Sequence, residues 1–264
     1  MPVNVESLLA RIGYGGPVDV SLKVLQDLKL AFLLSVPFEN IDVHIPREIK
    51  LIEGAAEEKI VQQQRGGFCY ECNFLFHQLI SQIGFEAIIC SARMMKNEKL
   101  LPPFEHMVLL VTIADTTFLV DVGNGESVRT PMNLQSDEVH LTPEGKSYKI
   151  GNFEDQSALE SCDKDVANWG AKFVIDPIPR QLEDFSDRCH FQQTSSQSVF
   201  TTQPMATLAL AEGRRTIRGR QFLETKENQQ TREVAFEDEQ EYYACLREKF
   251  GLVFAKSDQK FWRP

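Results

Sequence analysis

Apolar residues recur at helical spacing through the first third of the chain. Leu22, Leu25, Leu28 and Phe32 form one stripe, which Val36 and Pro37 end, because a residue before proline is pushed out of the helical region. A second stripe of Phe68, Cys72, Leu75, Leu79 and Ile83 starts just after Gly66-Gly67 and predicts a helix with Gly84 as its C-cap. Residues 55–64 read as a further helix leading into the glycine pair. From Phe85 the period changes to that of strands, at 85–92, 107–113, 117–122 and 147–150, with Ala114-Asp115-Thr116-Thr117 as a hairpin loop. Residues 126–146 and 151–190, polar and broken by Gly and Pro, give no clear element. Strand-like pieces follow at 199–202 and 216–225, then a helix from Glu237 to Phe250 closed by Gly251. This order, helical then β-rich then mixed, predicts an α+β fold rather than an alternating βαβ one, divided as residues 1-84, 85-190 and 191-264.

Composition narrows the class without naming a chemistry. Hydrophobic content of 42% and charged content of 25% are ordinary for a soluble globular protein. Lys plus Arg is 28 against 38 Asp plus Glu, and the resulting charge of −10 argues against nucleic-acid or anionic-membrane partners. Apolar runs such as Leu30–Leu34 are far too short to span a bilayer, and the N-terminus shows no signal-peptide core, so the chain reads as cytoplasmic. The six cysteines are scattered and read as reduced. A polyanionic ligand would need a local basic patch. The densest one holds Arg214, Arg215, Arg218 and Arg220, which read first as a solvated strand face.

Cys69 sits at the start of the second stripe. In a first helical turn it would lie among orphan N–H groups at the positive end of the dipole, which favours a thiolate. Alone, a cysteine is more often a small buried apolar residue. The glycine pair, the helix start, and His106 and Asp121 downstream turn the reading toward a Cys-His-Asp triad and acyl-group chemistry. His106 opens one strand and Asp121 closes the next. A hairpin symmetric about 114–117 sets Asp121 opposite Leu110; the parity is right, but four residues at about 3.3 Å each leave His106 out of reach. A bulge, a shifted register or a bent strand end must close that gap. Cys69-Tyr70-Glu71-Cys72 is also a C-x-x-C, but no second ligand pair and no βαβ context supports a metal or redox site, and Cys72 reads as core.

Five segments then stand in one order: Arg11-Ile12-Gly13-Tyr14, Val36-Pro37-Phe38-Glu39-Asn40, Arg65-Gly66-Gly67-Phe68-Cys69-x-Glu71-x-Asn73, Phe104-Glu105-His106-Met107-Val108 and Val120-Asp121-Val122-Gly123. Over residues 9–125 this set resembles the arylamine N-acetyltransferase family. The resemblance implies a helical bundle carrying Cys69, a central β-barrel carrying His106 and Asp121, a C-terminal α/β lid, and a cysteine-protease-like arrangement of the three. It implies acetyl-CoA as donor substrate, no permanently bound cofactor and no metal, an arylamine or arylhydrazine acceptor, and transfer through a Cys69 thioester. His106 then acts as the base and Asp121 orients it. Phe38, Phe104, Val108 and Asn124 are implied at the acceptor site, Gly125, Thr194, Ser195 and Ser198 at the coenzyme site, and Glu39 with Arg65 as a supporting ion pair.

Two departures stand out. Asn124 takes a place where many bacterial members carry a bulky aromatic, which widens and polarises the expected acceptor pocket. The 194–200 stretch has the family's Ser/Thr-rich character without its prolines. Two other classes share parts of the pattern: a cysteine hydrolase or transglutaminase-like enzyme, and a non-catalytic relative that binds coenzyme A or a small molecule. The papain-type signature is absent and the His lies far closer to the Cys than in that family, while the complete triad weighs against a non-catalytic role. Oligomeric state leaves no mark on the sequence.

Overall fold

Four helices precede the long strands in a computed structural model that describes residues 3–45, 47–163, 168–226 and 229–262. They are α1 (Val5–Arg11), α2 (Leu22–Ser35), α3 (Ala55–Glu57, running on into a π turn at Glu58–Gln62) and α4 (Cys69–Ile83). Asn4 and Ser21 cap the first two by accepting from Ser7 N and Val24 N at 3.0 and 3.3 Å. Gly84 closes α4 with φ +112°, a conformation that suits glycine. Arg11 binds three segments at once, donating to the carbonyls of Ile60 and Ser35 at 2.8 Å and of Arg65 at 3.1 Å.

Nine strands form one curled sheet. They are β2 (Glu86–Lys96), β3 (Lys99–Leu100), β4 (His106–Ile113), β5 (Thr116–Val120), β6 (Met132–Asn133), β7 (His140–Leu141), β8 (Lys146–Phe153), β9 (Gln156–Asp163) and β10 (Gly170–Pro179). Their order is β6-β5-β4-β2-β10-β9-β8-β7, with β3 paired to the end of β2. Alternation along β4 explains the curl. Val108 and Leu110 join Cys90, Leu119, Tyr148, Ile150, Leu159 and Phe173 in a core enclosed by the sheet itself, while Met107, Leu109 and Val111 face the other way, onto the apolar stripe of α4. The sheet is barrel-like, and among the described residues no pairing joins β6 to β7.

A second, antiparallel sheet runs β1 (Phe38–Glu39), β11 (Met205–Leu210), β12 (Gly213–Arg218), β13 (Gln221–Lys226) and β14 (Gln229–Ala235). Between the two sheets in sequence lies α5 (Ser186–Thr194). Helix α6 (Glu239–Phe250) covers the second sheet, packing Tyr242, Leu246 and Phe250 on Ile217 and Phe222. Because β1 is an edge strand here, the helical part and the last part of the chain share backbone hydrogen bonds, and α5 crosses residues 190 and 191.

Several expectations change. Residues 151–190 hold β9, β10 and α5, which their small Ala, Ser and Cys positions conceal. Residues 199–202 are not a strand but a 3-10 turn, Val199–Thr201, whose Phe200 N–H is capped by Ser198 Oγ at 3.1 Å. The single strand expected at 216–225 is a hairpin, turning at Gly219 with φ +54°.

Candidate active site

Cys69 is the first residue of α4 and is 3% exposed. Its position depends on close backbone approach. Gly67 N–H donates to Pro37 O at 3.1 Å and Glu39 N–H to Gly67 O at 2.9 Å, which hangs the turn before Cys69 on β1. On the other side Gly123 packs directly on the cysteine, where an added Cβ would stand 2.5 Å from Cys69 O and 2.8 Å from its Cα. Only glycine fits there.

His106 Nε2 and Asp121 Oδ2 are 2.9 Å apart, both residues buried. The expected hairpin register was wrong by two residues. The turn is a tight two-residue one with Ala114 at φ +51°, pairing Ile113 with Thr116 and Leu109 with Val120. That register carries Asp121 two residues nearer to His106, and β5 ends at Val120, so Asp121 bends off the strand end toward the ring. A shifted register and a strand end together close the gap.

Asp121 is held by more than the histidine. Its Oδ1 accepts from Asn73 Nδ2 at 3.0 Å and from Gly123 N–H at 2.9 Å. Asn73 lies one helical turn beyond Cys69; its amide also donates to Met107 O at 2.7 Å and accepts from Val122 N–H at 2.9 Å. One side chain on the nucleophile's helix therefore pins both strands that carry the other two groups. Asn73 stood in the motif without a role, although the i, i+4 spacing from Cys69 is a readable signal. Burial pushes the Asp121 carboxyl up, but His106 and these donors outweigh it and hold the group below the ordinary carboxylate range. An ionised carboxylate only accepts, so Nε2 carries the proton and Nδ1 offers its lone pair toward the cavity.

The thiolate expected at the helix start is not favoured by surroundings alone. Burial pushes the Cys69 thiol well up, Cys189, Asp121 and Cys72 add to it, and the Tyr70 backbone N–H opposes them. Desolvation outweighs the dipole, so ionisation of Cys69 requires a base beside it. Cys69 and His106 line the same cavity, and none of the hydrogen bonds among the described residues joins them.

That cavity measures about 1000 Å³ and runs between the helical part, the curled sheet and the second sheet. Of the residues expected at the acceptor and coenzyme sites, Phe38, Asn124, Gly125 and Ser198 line it. Val108, Phe104, Thr194 and Ser195 do not. Val108 shares His106's face of β4 but lies two residues deeper, fully buried in the core enclosed by the sheet. Phe104 packs edge-on against Phe185, under the Arg180 guanidinium. Thr194 turns its hydroxyl back to His190 O at 2.7 Å, and Ser195 Oγ accepts from Gln197 N–H at 3.2 Å. Ser198 reaches the wall, but its hydroxyl is spent on Gln192 Oε1 at 2.7 Å. The basic cluster is divided, Arg215 by strand alternation in β12 and Arg220 by lying past the turn at Gly219. Arg214 and Arg218 line the cavity, Arg214 bonded to Gly125 O and paired with Glu144 at 3.1 Å, while Arg215 and Arg220 bind the carbonyls of Lys249 and Phe236 elsewhere. A rim that sequence reading missed joins Glu105 to Arg188 and to Gln192 Nε2, the latter at 2.6 Å, next to His106. No cluster among the described residues has metal-ligand character.

Behind Cys69 lies a buried ionic network. Arg65 meets Glu39 at 2.5 Å and Asp42 at 2.8 Å, which realises the expected ion pair, and Lys59 meets Asp42 at 2.8 Å and Glu71 at 2.9 Å. Glu71 in turn accepts from Phe68 N–H at 2.8 Å, satisfying an orphan donor of α4.

Comparison with known proteins places this geometry. A family model described as N-acetyltransferase matches residues 21–259. The arylamine N-acetyltransferase of Escherichia coli strain K12 is 30% identical over 246 residues, covering 92% of this chain and 86% of the relative. The solved arylamine N-acetyltransferase of Salmonella typhimurium superposes with a TM-score of 0.88 at 27% identity, covering 96% of this chain and 95% of that one. The Mycobacterium marinum enzyme, solved in complex with CoA, gives 0.85 at 27% identity, covering 94% and 92%.

Proposed function

The chain belongs to the arylamine N-acetyltransferase family, and from that premise we propose that it works by a ping-pong sequence through an acetyl thioester on Cys69. It is an acetyl-CoA-dependent acyltransferase for arylamines, and the finer assignment concerns which residues carry the acetyl group and the protons. Cys69 Sγ attacks the acetyl carbonyl carbon as His106 Nδ1 takes its proton. The carbon–sulfur bond to coenzyme A breaks, and the departing sulfur recovers that proton from His106 as a free thiol. The acceptor nitrogen then attacks the Cys69 thioester, gives a proton to His106, and the acetamide leaves as Cys69 is reprotonated. Asp121 keeps the imidazole in the tautomer that accepts at Nδ1 and stabilises its charged form. Backbone donors near the helix start are the natural oxyanion hole, but Phe68 N–H and Cys72 N–H are already engaged, by Glu71 and by Phe68 O.

The 2.9 Å His106–Asp121 bond, at the wall of a cavity that also receives Cys69, carries this reading. It is tested by intact-protein mass spectrometry after mixing with acetyl-CoA. One acetyl adduct should appear, map to Cys69 and be discharged by an aromatic amine; an adduct elsewhere, or transfer without one, refutes the thioester route. Both substrates are small molecules. No helix among the described residues is long and apolar enough to cross a membrane. We place the enzyme in the cytoplasm, where a reducing medium preserves its six free thiols.

Among those thiols, limiting iodoacetamide near neutral pH should label Cys69 first and abolish transfer. Cys69 lines the cavity that His106 also lines, whereas Cys72 and Cys189 are buried away from it. Equal labelling of Cys72 or Cys189 contradicts the assignment.

We assign the acceptor side of the cavity to Phe38 and Asn124. Asn124 Oδ1 accepts from Glu126 N–H at 3.1 Å, which turns the side chain into its own loop. An aromatic there would stack on an acceptor ring, a contact worth roughly 0.5–1.5 kcal/mol beyond burial. Asn124→Phe is therefore expected to speed the second half-reaction with flat arylamines by several-fold to about tenfold, leaving Cys69 acetylation unchanged. Rapid-mixing measurement of the two half-reactions separates these effects. An equal change in both steps places Asn124 outside the acceptor site.

A further inference from the structure

Beneath the active-site loop lies a buried cation that acetyl transfer as described above does not use. Lys29 is 2% exposed in α2, among Leu25, Leu28, Phe32 and Leu33. Its ammonium donates to the Thr130 carbonyl at 2.9 Å, at the far end of the loop that starts at Asp121 and contributes Gly123 and Asn124 to the cavity wall. A recess of about 10 Å³, no larger than one water, is bounded by Lys29, Asp121, Asn124 and Glu126. The ammonium thus shares this recess with the catalytic carboxylate and with the loop that shapes the acceptor wall. Burying a lysine there is costly unless its charge is used.

We propose that Lys29 is a positioning residue for acetyl transfer: it clamps the 121–130 loop through the Thr130 carbonyl and sets the field on Asp121, and through Asp121 on the proton that His106 carries.

Four charged or titratable groups face it. The Asp121 carboxylate favours its proton, and the Arg129 guanidinium opposes it. Glu126 lies across the recess, and the His140 ring meets Thr130 Oγ1 at 2.9 Å. Burial is the largest influence and lowers Lys29 to about 7. A protonated Lys29 steadies the Asp121 carboxylate and opposes positive charge on His106; losing the proton near neutrality lifts that opposition. Stability follows the same linkage. Between about 7 and the ordinary lysine value the unfolded chain holds a proton that the folded chain does not, so stability rises with pH across that window and is lost as pH falls toward 7.

This inference rests on Asp121 acting in the triad. Carbon-13 lysine NMR of the whole enzyme should show Lys29 titrating near neutrality, with its midpoint about half to one pH unit lower in Asp121→Asn, which removes the facing carboxylate. Reciprocally, Lys29→Gln keeps a donor for Thr130 but no charge. It should move the acid limb of Cys69 acetylation upward, while Lys29→Arg keeps the wild-type position. A Lys29 midpoint unmoved by Asp121→Asn overturns the proposal, as do coincident pH profiles for the wild type and a folded Lys29→Gln. The NMR comparison decides even if Lys29→Gln does not fold. Undiminished acetylation by Asp121→Asn would instead refute the triad, an outcome distinct from either.

Discussion

Asp121→Asn is expected to lower kcat/KM for acetyl transfer by about three to four orders of magnitude while the protein stays folded. The replacement is nearly isosteric, and an amide oxygen can still accept from Asn73 Nδ2 and Gly123 N–H, which lie 3.0 and 2.9 Å from Oδ1. The amide nitrogen then faces His106 Nε2 and must donate. Nε2 becomes the acceptor, the ring proton moves to Nδ1, and the lone pair that should take the Cys69 proton is gone. Burial already pushes the Cys69 thiol well up, so without a base neither half-reaction proceeds. The carboxyl is held low in the folded enzyme, so its contribution to stability is complete above the ordinary carboxylate pKa and is lost as pH falls through the depressed one. At neutral pH the variant should therefore be compared with a fully ionised Asp121. Single-turnover acetylation by mass spectrometry, with a thermal melt as control, makes the measurement. A loss under tenfold in a folded variant shows that the tautomer is not what Asp121 controls.

How far the site was legible depends on how local each feature is. The start of α4 was readable because a glycine pair, an apolar stripe and a terminal glycine all lie within one short stretch, and the helix spans Cys69–Ile83 with Gly84 left-handed. The His106–Asp121 pairing was expected, but the register that makes it was not readable, because it depends on a two-residue turn that places a non-glycine, Ala114, at positive φ. Turn chemistry gives no signal for that choice. Val108 was placed at the acceptor site by the family resemblance, and it does share His106's face of β4. Parity fixes the face of a strand but not the depth along it, and two residues of depth put Val108 inside the curled core. Thr194 and Ser195 failed for a related reason. A Ser/Thr-rich stretch says nothing of which hydroxyls are used within the segment, and theirs satisfy their own turn. Most concealed of all was Lys59. A lysine on a polar helix face reads as solvated, yet it is buried by partners at 39, 42 and 71 that only the tertiary fold assembles.

Removing Lys59 is therefore expected to give the largest loss of stability from a single side chain remote from the chemistry. Its ammonium stands 2.8 Å from Asp42, 2.9 Å from Glu71 and 3.9 Å from Glu39, all buried. Arg65 and the exposed Arg47, 3.8 Å from Asp42, supply the remaining positive charge. Lys59→Met preserves most of the apolar stem but leaves three buried carboxylates on two arginines. Breaking a buried pair from one side costs about 3–5 kcal/mol, because the remaining charge stays desolvated. At this chain length that corresponds to a melting temperature lower by about 10 °C. Burial lowers the Lys59 proton affinity, but Glu71, Glu39 and Asp42 outweigh it and raise it above the ordinary value. Its contribution is thus fully present at neutral pH and is lost only as pH rises through the folded value. Glu71 should feel the loss most, since burial already pushes its carboxyl up and Lys59 is the first influence against that. Adding Glu71→Gln removes the orphaned charge and keeps an acceptor for Phe68 N–H, so the double variant should recover part of the loss, with a coupling of about 1 kcal/mol or more. Chemical denaturation of the two single variants, the double variant and the wild type measures that coupling. Strict additivity, or a Lys59→Met penalty under about 1 kcal/mol, would mean that the network behind Cys69 does not hold the helix start through Lys59.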